Sequence, residues 1–380
     1  AGRAHMSITE RELQLATLNA GDGRKPDRIP WMPRLEIWYT AHYLAGTLPE
    51  EFSGMRLGEI QKAVGVGKTA RTGHVFTSRV KGVEVHERRE GLLTYYDYVT
   101  PVGSVSKLVK RTPELDAAGI YPLEVEHFIK KPEDFETVMW IVENTEYFPA
   151  YEQFIDYDKG VGDEGLPMIP IGDVPFHHYL EVYTGYEKGY LDLFDYPAKV
   201  ERLLDTMWQV NKQKMWPVAA NSPGTLFLHG AHFSSETTPA NYFGEFMLPY
   251  MQDFADYMHS HDKKVAHHAD NDTSSIIELL RDSRYDMHEC FVTNPMVPIT
   301  LEEGRKVLGD DIVVFGGIPS VILEATTSDE QFEIYLEEIF DAVKPGDNFI
   351  LGIADNMMPA SMMSRVKRIS ELVEQQGTYS

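Results

Sequence analysis

The sequence predicts an α/β fold made of parallel strand and helix units, on three observations. From about Met168 onward, short apolar runs alternate with stretches whose apolar residues recur at helical spacing. Most of those runs end in polar or glycine-bearing turns. Before residue 150 the pattern shifts toward strict apolar and polar alternation, the signature of antiparallel hairpins.

In chain order, residues 29–32 form the one candidate barrel-type strand of the first half, and the alternation over 80–85 and 93–109 predicts inserted hairpins. Residues 168–171 open the regular part and lead to His177 and His178. A helix starting near Pro197, a residue suited to a first turn, carries Val200, Leu203, Leu204, Met207 and Val210. The run 225–228 ends in His229, His232 and Glu236, before a helix through Phe243, Met247, Tyr250, Phe254 and Met258 in which Pro249 is a candidate kink. The strand at 264–268 enters the polar turn at Asp270 and Asp272 and precedes the helix of Ile276, Ile277, Leu279 and Leu280. The next strand, 285–291, is followed by Thr300 and Glu303 at capping-box spacing. The strand 311–315 stops at Gly316-Gly317; Ser328 and Gln331 cap the helix bearing Phe332, Leu336, Ile339, Phe340 and Val343. The last strand, 348–352, precedes a helix with Met363, Val366, Ile369 and Val373. On pattern alone, a closed barrel and an open doubly wound sheet fit equally. The chain reads as one domain over 6–380, less regular over 6–150 and regular over 165–380, with 1–5 expected to be a cloning scar before Met6.

Composition bounds the partners. The 380 residues are 43% hydrophobic, enough for one large core, and the formal net charge of -24 repels phosphate backbones and anionic lipid. Neither nucleic acid nor membrane is expected as a partner. A single cysteine, Cys290, excludes an internal disulfide framework and an all-thiolate metal site. No run of about 18 apolar residues and no secretory pattern occurs, so the expected location is the cytoplasm.

The reactive residue types gather at strand ends: His177 and His178, then His229, His232 and Glu236, then His267, His268, Asp270 and Asp272, then Glu289 and Cys290, and finally Asp355 and Asn356. Strand ends are where side chains of several strands can converge on one cavity. Each residue also has a plain structural role. A lone strand-end histidine is more often a hydrogen-bonded packing residue than a ligand. Adjacent histidines point to opposite faces, so at most one of His267 and His268 faces a cavity. Asp270 and Asp272 suit a helix cap near Thr273, and Cys290 reads as a small buried side chain. Gly316-Gly317 lacks the other glycines of a dinucleotide loop, and Gly67-Lys68-Thr69 has Lys62 where a phosphate loop needs its first glycine. No His-Glu-x-x-His or Gly-x-Ser-x-Gly segment is present.

The segments His229-Gly230-Ala231-His232-Phe233-Ser234-Ser235-Glu236, Phe246-Met247-Leu248-Pro249-Tyr250, Val265-Ala266-His267-His268-Ala269-Asp270-Asn271-Asp272, 310–320 and Leu351-Gly352-Ile353-Ala354-Asp355-Asn356 resemble the uroporphyrinogen decarboxylase superfamily. The resemblance runs from Met168 to the C-terminus and implies a (β/α)8 TIM barrel, here with an N-terminal extension and inserted antiparallel hairpins. It also implies either cofactor-free porphyrinogen decarboxylation or corrinoid-linked methyl transfer. The decarboxylase's Arg-Gln-Ala-Gly-Arg-Tyr segment is replaced by Trp31-Met32-Pro33-Arg34-Leu35-Glu36. The methyltransferases of this superfamily hold zinc through a His-x-Cys pair and a last-strand Cys. Those positions fall on His268, Asp270 and Asp355, so the resemblance implies a zinc site in which carboxylates replace both thiolates. That harder site suits an aryl methyl ether, whose phenolate leaves more easily when its oxygen is protonated or metal-bound. The expected activity is therefore that of an O-demethylase methyltransferase, passing the methyl group of a methoxylated aromatic to a corrinoid on a separate small protein. Glu289 is expected as a catalytic or further liganding group, and His232 or Glu236 as the acid. Trp31, Trp38, Tyr39, Phe176 and Tyr179 are candidates to wall an arene pocket. The alternatives are a metal-free decarboxylase, or a methyltransferase for methanol, methylamine or a thiol.

Overall fold

The structure, a computed structural model, describes residues 8–21, 23, 25–118, 121–344 and 347–379, so the expected scar at 1–5 lies outside the described residues. The chain enters through the helix Glu10–Thr17, whose start is fixed by a reciprocal capping box between Thr9 and Glu12. Leu15, Leu18 and Ala20 of this entry segment pack onto the same apolar cluster as Met32, Leu166, Met168, Leu226 and Met287. That cluster fills the interior of the parallel sheet described below, and the entry helix plugs its lower end.

An antiparallel insertion precedes the regular units. Strand β1 (Phe76–Val80) pairs with β6 (Thr145–Pro149), while β2 (Glu84–Glu90), β3 (Leu93–Thr100), β4 (Gly103–Lys110) and β5 (Leu123–Glu126) form a separate four-stranded sheet in chain order. All of β2 is exposed, which is why its sequence reads as mostly charged. The hairpins expected from alternation are present here.

Six parallel strands follow in sequential order: β7 (Met168–Pro170), β8 (Leu226–Ala231), β9 (Lys264–His268), β10 (Met287–Phe291), β11 (Val313–Pro319) and β12 (Phe349–Ala354). Two short segments close the ring. Trp31 bridges in parallel to Leu351 of β12, and Ala70 bridges in parallel to Pro167 beside β7. The Gly67 amide donates to the Trp31 carbonyl at 2.9 Å and joins the two segments. The circuit β12, 30–32, 67–70, β7 therefore makes an eight-membered barrel, and closure removes the sheet edges. A Cβ at Gly67 would lie 2.1 Å from the Met32 sulfur, so the Met32 side chain would have to move to admit one. The segment expected as a strand at 29–32 lies beside β12 but makes only the bridge at Trp31 and ladder-type bonds to Leu351; the second, at 67–70, has too little apolar character to stand out.

The pleat assigns the strand residues to two environments. Leu226, Leu228, Ala266, Met287, Val313, Phe315 and Ile350 fill the barrel, and Phe227, Val265, Val314, Phe349 and Leu351 face the surrounding helices. His267 is on the outer face, stacked on Phe233 at 4.3 Å, so its neighbour His268 faces inward. Where one long helix was expected to kink at Pro249, a π-helical turn Phe243–Met247 runs into the helix Leu248–His259. Pro249 occupies its first turn, where a missing N–H is tolerated. No helix among the described residues is long and apolar enough to cross a membrane.

Candidate metal centre

His268 sits at the upper end of β9 and is the hub of a polar cluster. Its Nδ1 lies 2.6 Å from Glu289 Oε2 on the neighbouring strand. Glu289 is fully buried, and its other oxygen accepts from Arg71 Nη1 at 3.1 Å. With Nδ1–H donated to a carboxylate, the ring is oriented so that Nε2 faces Asp270 at 3.5 Å and Asp355 at 3.6 Å.

Cys290 joins this cluster through an irregularity in β10. The ladder to β11 steps from Glu289 opposite Phe315 to Phe291 opposite Gly316, skipping Cys290, whose φ is 58°. A regular strand would send Cys290 to the face opposite Glu289; the bulge re-aims it. Its Sγ lies 3.0 Å from both Glu289 Oε1 and Asp355 Oδ1. Asp355 follows β12 and is ion-paired with Arg34 Nη1, which also approaches Cys290 Sγ at 3.7 Å. His232, after β8, holds φ at 62° and brings Nδ1 to 2.8 Å from Asp270 Oδ2. Its Nε2 makes no hydrogen bond among the described residues.

Two donor sets result, His232–His268–Asp270 and His268–Cys290–Asp355; within each, the candidate ligand atoms lie within 4.8 Å of one another. Nitrogen, sulfur and carboxylate oxygen together suit a borderline ion such as zinc. The electrostatics are those of a site where cations and acids are interleaved. Burial works against charge on Glu289, yet Arg71, His268 and Arg34 hold its carboxyl far below the usual range. Asp270, despite its burial, is held very low by His232 and His268. Burial would lower His268, but Cys290, Glu289 and Asp270 around the ring raise it well above an ordinary histidine. Burial, with Glu289 close by, pushes the Cys290 thiol up to about 12. As a nucleophile it is inert at neutral pH; as a ligand it needs only an ion to displace its proton.

The structure thus brings together five of the expected polar residues, His232, His268, Asp270, Glu289 and Asp355. Glu236 is apart from them, exposed on the loop after β8. The aromatics expected around an arene are engaged in packing. Trp31 is buried and donates to Ser370 Oγ at 2.9 Å, and Trp38 meets Phe52 edge to face in the same core. Tyr39 donates to the Met55 carbonyl at 3.3 Å. Phe176 stacks on Phe246, and Tyr179 donates to the Gly189 carbonyl. The sequence reading missed Arg34, Arg71 and the placement of the Cys290 sulfur in this cluster. Arg34 follows the first barrel strand, a strand-end position that was there to be weighed; Arg71 follows a strand that left no pattern.

The sequence over residues 125–376 matches the family described as uroporphyrinogen decarboxylase (URO-D). Among solved structures, a methyltransferase from Methanosarcina mazei superposes with a TM-score of 0.55 at 12% identity, covering 97% of this chain and 99% of that one. At that identity the likeness concerns the fold. No curated protein sequence matches the chain.

Proposed function

The chain belongs to the uroporphyrinogen decarboxylase (URO-D) family, and from that premise we propose that it is a metal-dependent methyltransferase acting on aryl methyl ethers. Its methyl acceptor is a reduced corrinoid carried by a separate small protein. The observation that supports this reading is the pair of overlapping N, O and S donor sets around His268 at the barrel mouth. His268, Cys290 and Asp355 would hold a zinc-type ion, with Asp270 and His232 beside them. When bound, such an ion supplies Lewis acidity for an ether oxygen.

The chain's own residues do the positioning. Glu289, anchored by Arg71, fixes the His268 ring. Arg34 holds Asp355, and Asp270 holds His232. The same pairings weigh against a porphyrinogen decarboxylase: a substrate rich in carboxylates needs free cations, and both guanidiniums here are matched to acids of the protein. The shared architecture with a methyltransferase points the same way.

The test is anaerobic incubation of the metal-analysed protein with a reduced corrinoid protein and a panel of methoxyarenes, following the corrinoid's visible spectrum and the phenol released. Stoichiometric metal and release of phenol are expected. Methanol or an amine reacting while every methoxyarene is inert would end the ether-cleavage reading. His268→Ala and Asp355→Ala should lose the metal and keep the fold, since strand-end polar groups carry little core energy; full metal content in both dismisses the ligand assignment.

A further inference from the structure

Beside the metal cluster, the chain that follows β7 sets a second group of donors along one side of a helical turn. Asp173 follows that strand, His177 lies in the helical turn Pro175–His178 and Glu181 in the π-helical turn Tyr179–Thr184. They are four residues apart, the spacing at which side chains meet on a helical face. Asp173 Oδ2 lies 2.5 Å and Glu181 Oε2 3.9 Å from the same atom, His177 Nδ1, and the candidate ligand atoms of the three residues lie within 4.8 Å of one another. Phe233 joins the two groups: its ring meets His177 edge-on at 5.1 Å, and its neighbour in the chain, His232, belongs to the first cluster.

Outer partners fix two of the three donors and leave the third open. Asp173 Oδ1 accepts from the Val174 amide at 2.7 Å, which turns Oδ2 toward His177. His177 is fully buried with Nε2 3.0 Å from the Tyr186 hydroxyl oxygen, so Nδ1 is the nitrogen it can offer an ion. An outer bond of this kind orients the ring of a ligating histidine. The Glu181 carboxylate makes no hydrogen bond among the described residues, and its side chain is 44% exposed, so the group opens to solvent on that side. Charge sets this group apart from the first cluster, where Glu289 and Asp355 are each paired with a guanidinium. Among the described residues, Asp173 and Glu181 have no lysine or arginine at ion-pair distance, and they share one imidazole nitrogen that can donate to only one of them. Burial, with the charge of Asp173 adding to it, raises the Glu181 carboxyl above its ordinary value in spite of His177. A cation is the missing counter-charge.

We propose that Asp173, His177 and Glu181 form a second divalent-cation site, separate from the His268 cluster and free of sulfur. One imidazole nitrogen and two carboxylates, completed by water from the exposed side, suit an ion of the manganese class, harder than the zinc-type ion proposed for the first cluster. Donors bound at ~2.1 Å to one ion stand ~3 Å apart, so Asp173 and His177 would part slightly and Glu181 would close in, shifts within reach of side-chain rotation. The ion takes the place of the Nδ1 proton, which leaves to solvent, while Nε2 keeps its bond to Tyr186. The site stands whether or not the reaction proposed above is the right one: its ion ties the turn after β7 together at three points.

The probe is Mn2+ itself, titrated into the full chain and followed by the loss of its free electron paramagnetic resonance signal, with circular dichroism on every variant. His268→Ala dismantles the first cluster and should still bind one Mn2+ per chain. In that background Glu181→Gln should weaken the binding at least about tenfold, and His177→Gln should abolish it. Electron spin echo spectra of the bound ion should show a directly coordinated nitrogen in His268→Ala that vanishes with His177→Gln. Glu181 is half-exposed, so its variant carries the test even if the buried His177 does not tolerate replacement. Failure of His268→Ala to bind Mn2+, affinity unchanged by Glu181→Gln, or a bound ion with no coordinated nitrogen overturns the proposal.

Discussion

At the His268 ring, two kinds of residue determine what the site can hold. Glu289 sets the tautomer by accepting from Nδ1–H, which frees Nε2 for an ion. Glu289→Gln keeps the shape and removes the charge, so metal affinity should drop roughly 10- to 100-fold, read by competition with a chelator. Unaltered affinity would mean that the ring is oriented by packing alone. In the proposed site, Cys290 would decide the ion's ligand chemistry. Substituting cobalt should give a thiolate-to-metal charge-transfer band in the near ultraviolet, and Cys290→Ser should abolish it. A band that survives, or never appears, places the sulfur outside the coordination sphere. His268, Asp270 and Asp355 could be named from the sequence because the resemblance to the uroporphyrinogen decarboxylase superfamily lays that family's metal motif on them. Cys290 could not, because a regular strand would have turned it away from Glu289, and no residue pattern announces a positive φ at a cysteine.

At the scale of the strand, that bulge depends on the partner strand. Gly316 sits opposite it with φ at 150°, and a Cβ there would lie 2.6 Å from the Phe291 amide nitrogen and 2.8 Å from the Phe291 oxygen. All of the nearest atoms are backbone of Cys290 and Phe291, which leaves no flexible group to move. Gly316→Ala should therefore cost ~2–3 kcal/mol and displace Cys290 from the cluster, seen as a lower urea midpoint with weakened metal binding. A stable variant with full metal content would show that the ladder adapts. The same scale explains what could be read of the fold. β7 to β12 announced themselves because strands buried on both faces are continuous apolar runs. The segment 67–70 makes only a bridge and a few hydrogen bonds, and Gly67 contributes no side chain beside Met32, so it carried no periodic signal. Without it the sequence could not distinguish a closed barrel from an open sheet except through resemblance.

Across the whole molecule, the buried histidines divide by whether a carboxylate bonds the ring, as Asp173 does His177 and Glu289 does His268, and that division predicts the acid response. His229, His267 and His288 are fully buried between strands and helices. Burial pushes His229 and His288 down to about 4 and takes His267 well below its ordinary value. An unfolded histidine titrates near ~6.5, so between that pH and about 4 the unfolded chain binds protons that the folded one refuses. The stability these rings allow is complete above ~6.5 and is lost as pH falls toward 4, at most ~3 kcal/mol for each of His229 and His288. His177 and His268 have the opposite sign, since their raised folded values favour the native state once pH is below ~6.5, but that contribution no longer grows in the acid window. The depressed carboxylates Asp173, Asp270 and Glu289 add to the loss only as pH drops through the ordinary carboxyl range near ~4. The urea midpoint should therefore decline from about pH 6 downward, before the carboxylates titrate. His229 isolates the cause: it packs on Phe254 at 4.4 Å, and the one backbone group that acts on its ring, the Gly172 carbonyl, already accepts from the Gly230 amide at 3.1 Å. His229→Leu removes a titrating ring without orphaning a partner, so stability at pH 7 should change by less than ~1 kcal/mol while the acid limb becomes shallower. If the variant keeps the wild-type slope between pH 6 and 4.5, protonation of this layer is not what unfolds the barrel in acid.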